Sequence, residues 1–153
     1  ASDVYKRQEK GIQPFAVKAE VVLDYFDGKD SKVDSMTKFE GVYRANQGMD
    51  YSFNKEAFDV LASFSGEVSD VKEDNIFGKS VTITSKDLSI TYQSLSDITV
   101  KKGDKVNQKD PIAKAGSNIY NKELGNHLHI VVEKNGKIID PELMYGKTNA
   151  EIK

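Results

Sequence analysis

The chain has 153 residues, 38% of them hydrophobic and 30% charged, with a net charge of -2. That length and composition suit one domain with a real core and exclude a disordered chain. The near-neutral balance argues against nucleic acid as the main partner, because phosphate binding needs a basic excess.

There is no cysteine, which removes disulfides, thiolate metal ligands and cysteine nucleophiles together. No apolar run approaches the ~20 residues needed to cross a bilayer, and no signal-peptide pattern is visible.

The first eight residues, Ala1 to Gln8, are foreign in character to the rest of the chain. Asp3 to Gln8 reads as an in-frame translation of a sequencing adapter, so the natural N-terminus is expected to be missing. Residues 1–12 are expected as a disordered tail, 13–146 as one domain and 147–153 as a C-terminal tail.

From Phe15 to Phe26, Phe15, Val17, Ala19, Val21, Leu23 and Tyr25 recur at period two, a strand signal. Asp27-Gly28-Lys29-Asp30 marks a turn, and the polar residues 29–38 suggest a loop or one short helix. Phe58, Val60, Ala62 and Phe64 alternate next, and Gly66 suggests a bend or bulge. Val81 and Ile83, a break at Ser85-Lys86-Asp87, then Leu88, Ile90 and Tyr92 form a hairpin pattern. Lys102-Gly103-Asp104 is a further tight turn, and Pro111 to Gly116 a short strand. Leu128, Ile130 and Val132 alternate into Asn135-Gly136, a strong hairpin turn, followed by Lys137 to Ile139 and a stop at Pro141. Many short strands with little helical periodicity predict a mostly β fold, a β-sandwich or partly open barrel of short antiparallel strands.

The only two histidines sit two apart, His127-Leu128-His129. On a strand, i and i+2 face the same way, so two imidazoles converge from one rigid element. That is a start for a zinc site, and equally a pair of satisfied polar residues lining a groove. Asp50, after Gly48, fits a metal ligand or a loop-holding acceptor of backbone hydrogen bonds. Tyr43, Tyr92 and Tyr120 are candidates to line a peptide groove, or core residues with their hydroxyls at the rim.

The segment Gly125 to Pro141, with its Gly-Asn-His-Leu-His start and Asp-Pro end, resembles the C-terminal signature of lysostaphin-type (LytM) zinc endopeptidases. Asn46-Gln47-Gly48-Met49-Asp50 resembles that family's His-x-Gly-x-Asp motif, and Tyr92-Gln93-Ser94-Leu95 its Tyr-x-His-Leu motif. Val100 to Val106 and Ile112 to Gly116 resemble its Gly-Asp-x-Val stretch. The resemblance covers roughly residues 39–143 and implies a LytM-type β fold. It implies zinc-ligand positions at Asn46, Asp50 and His129, and a catalytic pair at His127 and Ser94. Two of those positions have changed chemistry. Asn46 offers a neutral amide where a catalytic zinc needs one of about three protein ligands. Ser94 has no group titrating near neutrality to share acid–base work with His127. No cofactor is therefore expected, and the site is read as a vestige of a zinc peptidase.

Within that family, Gln13-Pro14-Phe15, Glu20-Val21-Val22, Tyr25-Phe26-Asp27, Tyr43-Arg44, Ser65-Gly66 and the Tyr-Gln-Ser-Leu form of the third motif resemble the stage II sporulation protein Q family. That resemblance implies a forespore membrane protein with one N-terminal transmembrane helix, missing from this sequence. Its domain would face the space between forespore and mother cell and bind stage III sporulation protein AH, in the engulfment zipper and feeding channel. Two other readings are a zinc peptidoglycan endopeptidase and an activator of a cell-wall amidase. For the partner surface, the hairpin bearing Val81, Ile83, Leu88 and Ile90 is one candidate. Its Thr- and Ser-rich face (Thr82, Thr84, Ser89, Thr91) suits either an exposed edge that accepts a partner strand or the solvent side of a two-layer sheet.

Overall fold

The computed structural model describes residues 9–28 and 34–153. Among the described residues the alternation read from the sequence becomes twelve short strands, and regular helix is confined to three single 3-10 turns. The strands are β1 (Glu20–Leu23), β2 (Met36–Phe39), β3 (Val42–Ala45), β4 (Met49–Ser52), β5 (Asp59–Leu61) and β6 (Gly66–Asp74). They continue with β7 (Gly78–Ser85), β8 (Leu88–Ser96), β9 (Lys105–Val106), β10 (Pro111–Ala115), β11 (Leu128–Lys134) and β12 (Lys137–Ile139). Every pairing between these strands is antiparallel.

Ten strands make one open, branched sheet whose main path runs β1-β4-β11-β8-β7-β6-β9; β2 and β3 form a separate ribbon. β1 and β9 lie at opposite ends of the path and do not pair, so the sheet is not a closed barrel. Period two sets the core face. Val81 and Ile83 on β7, Leu88, Ile90 and Tyr92 on β8, and Leu128, Ile130 and Val132 on β11 are all buried. Burying one such side chain contributes about 1.5–3 kcal/mol. On the opposite face, Thr82 pairs with Thr91 and Thr84 with Ser89 through their hydroxyls.

The β7–β8 hairpin is therefore not an edge. β7 lies between β6 and β8, and β8 between β7 and β11. Val81, Ile83, Leu88 and Ile90 are core residues, so they cannot receive a partner strand. Alternation reports which face is buried; it does not report whether a strand's edges are already paired.

Three other expectations shift. Only Glu20–Leu23 of the Phe15–Phe26 stretch is strand, although Phe15 still packs edge-on against Tyr51 and Phe58. Met36–Phe39 is strand β2 rather than loop or helix; residues 29–33, like Ala1 to Gln8, lie outside the described residues. The C-terminal residues fold back: Lys10 bridges Thr148, and Ile152 is 1% exposed within the core. Beside it the ammonium of Lys134 donates to the Asp87 carboxylate and to the carbonyl and side-chain oxygens of Asn149. At Asn135-Gly136 both residues take positive φ, 54° and 76°, as a tight two-residue turn between β11 and β12 requires.

Candidate functional site

β4 and β11 lie side by side with Asp50 opposite His129, and β8 brings Gln93 opposite His129 on the far edge. Gly48 permits the first contact. A side chain there would collide with the Ile130 carbonyl, so only glycine lets the chain entering β4 press onto β11.

Asp50 is the centre of the cluster and is fully buried. Its Oδ1 accepts a hydrogen bond from His129 Nδ1 at 2.8 Å and another from Asn46 Nδ2 at 3.0 Å. Its Oδ2 faces His127 Nε2 at 3.6 Å, and neither of those two atoms has a hydrogen-bond partner among the described residues. The reason is the tautomer. His127 Nδ1 lies 2.9 Å from the Gly125 carbonyl, an obligate acceptor, so the ring proton sits on Nδ1 and Nε2 turns a lone pair toward a carboxylate oxygen. Asp50 thus holds its cluster through side chains rather than through backbone amides.

The two imidazoles are driven apart electrically. At His127 burial dominates; the Gly125 carbonyl and the Asp50 charge offset it only in part, and its pKa lies below the usual imidazole range. At His129 burial acts in the same downward direction, but the charge of Asp50 and the hydrogen bond to it outweigh it and hold the pKa above that range.

Ser94 sits at a bulge. Lys79 pairs with Leu95 and Ser80 with Gln93, which leaves Ser94 unpaired between them at φ 66°. The bulge changes the neighbour of β8, which pairs with β11 up to Gln93 and with β10 from Leu95. The Ser94 hydroxyl donates to the Gly116 carbonyl at 3.0 Å, and the His127 amide donates to the same carbonyl at 2.8 Å. Position 94 is therefore next to His127 through one shared acceptor, with its hydroxyl already committed.

The donor set fits zinc poorly. Asn46 presents its NH2, which donates to the Leu23 and Asp24 carbonyls at 3.3 and 3.1 Å as well as to Asp50. Turning the amide over would set its oxygen against three acceptors. The group at the first ligand position is thus a hydrogen-bond donor to Asp50, which leaves one imidazole and one carboxylate where about three ligands are needed. Among the described residues, no group of three or more His, Cys, Asp or Glu is arranged to hold a metal ion.

A cleft of about 590 Å³ opens over this cluster. Asp50, His129, Gln93 and Val131 line it from the sheet, Thr37, Arg44, Ala45, Asn46 and Gln47 from the ribbon side, and Phe77, Asn118, Tyr120 and Asn121 from the opposite loops. Of the tyrosines singled out in the sequence, only Tyr120 lines it. Tyr92 is core and accepts the Ser63 amide at 2.9 Å, and Tyr43 is 64% exposed on β3. Arg44, Gln47 and Gln93 sit inside or beside the motifs, but no spacing rule marks a side chain that lines a cleft from a separate ribbon.

The chain matches Peptidase family M23 over residues 44–141. It is 33% identical over 148 residues to stage II sporulation protein Q of Bacillus subtilis (strain 168), an alignment covering 92% of this chain and 52% of that protein. The chain thus spans about half the length of that curated relative. A solved structure of the SpoIIQ–SpoIIIAH pore-forming complex superposes with a TM-score of 0.88 at 31% identity, covering 94% of this chain and 96% of that one. A zinc-containing peptidase from Vibrio cholerae shares the fold at a TM-score of 0.69 and 22% identity, covering 86% of this chain and 39% of its own. With the ordered motifs, the antiparallel fold and the Asn46–Asp50–His129 cluster in place, the chain belongs to peptidase family M23, in a form whose first ligand position carries an amide.

Proposed function

We propose that this chain is a non-catalytic M23 domain of a sporulation protein. It binds stage III sporulation protein AH (SpoIIIAH) across the space between forespore and mother cell, anchored through an N-terminal membrane helix ahead of this domain. It would serve there in the engulfment zipper and feeding channel.

One observation carries the non-catalytic half: the Asn46 amide donates to the carboxylate that a metal would need. Such an enzyme works by bringing a zinc-bound water toward a pKa of about 7. Here Asp50 Oδ1 accepts from Asn46 and His129 instead, and the Ser94 hydroxyl is held by Gly116. The likeness to stage II sporulation protein Q over 92% of this chain supports the partner half. In a solved structure the relative SpoIIQ is seen in complex with SpoIIIAH.

Two measurements on the purified chain test the reading. Titration with the SpoIIIAH ectodomain is expected to give a saturable one-site complex; no heat and no co-elution would remove the partner assignment. Zinc titration is expected to show binding no tighter than about millimolar for the wild type, with affinity raised at least ~100-fold in Asn46→His, which restores a third ligand. Stoichiometric tight zinc in the wild type, with release of peptide from peptidoglycan, would return the chain to the hydrolases. Stimulation of an added cell-wall amidase without SpoIIIAH binding would move it to the amidase activators.

A further inference from the structure

The cleft has an unusual electrical character for a protein with net charge -2. Its charged lining groups are Arg44, Asp50 and His129. Asp50 is fully buried and hydrogen-bonded to Asn46 and His129. Arg44 is exposed, reaches only the Phe39 carbonyl at 3.3 Å and the Phe39 ring, and has no carboxylate within ion-pair distance among the described residues. The cleft thus shows one free cation and no exposed anion among those residues.

The rest of the lining is rich in side-chain amides: Asn46, Gln47, Gln93, Asn118 and Asn121. Asn46 and Asn118 use theirs internally. Gln47 and Gln93 make no side-chain hydrogen bond among the described residues, and the Asn121 oxygen is engaged by Thr37 while its nitrogen is not. A free amide offers a donor and an acceptor together, the pattern that complements a peptide group. Phe77 and Tyr120 stand at one wall with ring centroids 4.9 Å apart. The two walls also touch: Thr37 Oγ1 donates to Asn121 Oδ1 at 3.1 Å, and Phe39 packs on Tyr120 at 5.3 Å. These contacts link the ribbon to the loop wall of the cleft.

We propose that this cleft captures an extended, carboxylate-bearing segment of the partner protein. Arg44 pairs with the carboxylate, Gln47, Gln93 and the Asn121 nitrogen meet the segment's peptide groups, and Phe77 and Tyr120 flank an apolar side chain. The inference rests on the partner-binding reading above and gives that reading an address. An arginine fork matches a carboxylate in two parallel bonds, and a volume near 590 Å³ lies in the range of small-ligand pockets, about 300–1,000 Å³. A single cation is too little for a nucleic acid.

The test uses this chain, the SpoIIIAH ectodomain and three N-capped tetrapeptides with a central phenylalanine. The peptides end in a glutamate amide, an alanine with a free carboxylate, or a glutamine amide. Wild type is expected to bind one or both carboxylate peptides and to discriminate against the glutamine peptide, and the ectodomain is expected to compete. Preference for the glutamate or the free-acid peptide identifies an internal side chain or a chain end as the source. Arg44→Glu is expected to weaken ectodomain and peptide alike on the order of tenfold or more, and Gln93→Ala by several-fold. Arg44 is exposed, so Arg44→Glu should leave the melting temperature unchanged; Arg44→Lys, which keeps charge but loses the fork, should fall between. If Arg44→Glu and Gln93→Ala bind the ectodomain as wild type does, the cleft is not the docking site, although the partner assignment stands. If the wild type does not bind the ectodomain at all, that assignment fails first. Capture of soluble muropeptide that the ectodomain does not displace would overturn the proposal in favour of a wall-bound ligand.

Discussion

Asp50 lies between two imidazoles that its field and its surroundings push in opposite directions, and this gives the domain two separable responses to pH. The folded chain keeps the His129 proton above the unfolded value of about 6.5, so the stability it adds is complete below that value and is lost as pH rises through the folded pKa. The folded chain refuses a proton at His127 that the unfolded chain accepts below about 6.5, so that contribution is lost as pH falls. Proton resonances of the two rings, followed from pH 4 to 9, should show His129 titrating above the ordinary range and His127 below it. A common midpoint for both rings would contradict the Asp50 geometry. How much of this was legible in the sequence differs by residue. His127, His129, Asp50, Asn46 and Ser94 stand out by motif, and the structure brings all five to one place. The tautomer of His127 was not legible, because it depends on the Gly125 carbonyl turning inward. The direction of the Asn46 amide was hidden too, since Leu23 and Asp24 reach it only through the fold.

At the scale of elements, the joint between β4 and β11 depends on position 48 having no side chain. Gly48→Ala is expected to lower unfolding free energy by roughly 2–4 kcal/mol, read from urea denaturation, because the obstacle is backbone rather than a side chain that can turn away. Stability equal to wild type would mean that β4 does not approach β11 this closely. The strands themselves were readable from period two and turn residues, most clearly β7, β8, β11 and β12. Their neighbours were not. The path β4-β11-β8 joins segments far apart in the chain, and a local pattern carries no information about that order. The hairpin read as a free edge is central for that reason. The ribbon β2–β3 was missed because its residues bury little: all four of β3 are exposed, so no alternation of buried and exposed sites marks it.

The whole molecule is closed by its C-terminal residues. Ile152 completes the core, and Asn149 supplies two of the three acceptors that surround the Lys134 ammonium. Deleting residues 148–153 should cost about 3–5 kcal/mol, from the lost burial and from a buried ammonium left short of partners. Adding Lys134→Met to the truncated chain should recover part of that loss, because an apolar side chain of similar length needs no partners. Equal thermal stability of the 153-residue and truncated chains would show that the segment only lies on the surface.

The bridge between Lys10 and Thr148 has a mechanical side. The two residues pair antiparallel, so Glu9 and Asn149, the residues next to them on the outer side, lie toward the same direction. Tension applied at Glu9 and Ile152 would therefore load this corner one contact at a time, where Ile152, the Lys134–Asn149 clamp and the bridge itself lie. The strands across the core are not sheared together. Loaded in this way the domain would yield at its seam before its sheet, whereas a load entering through the cleft would be carried by β4, β8 and β11 in parallel.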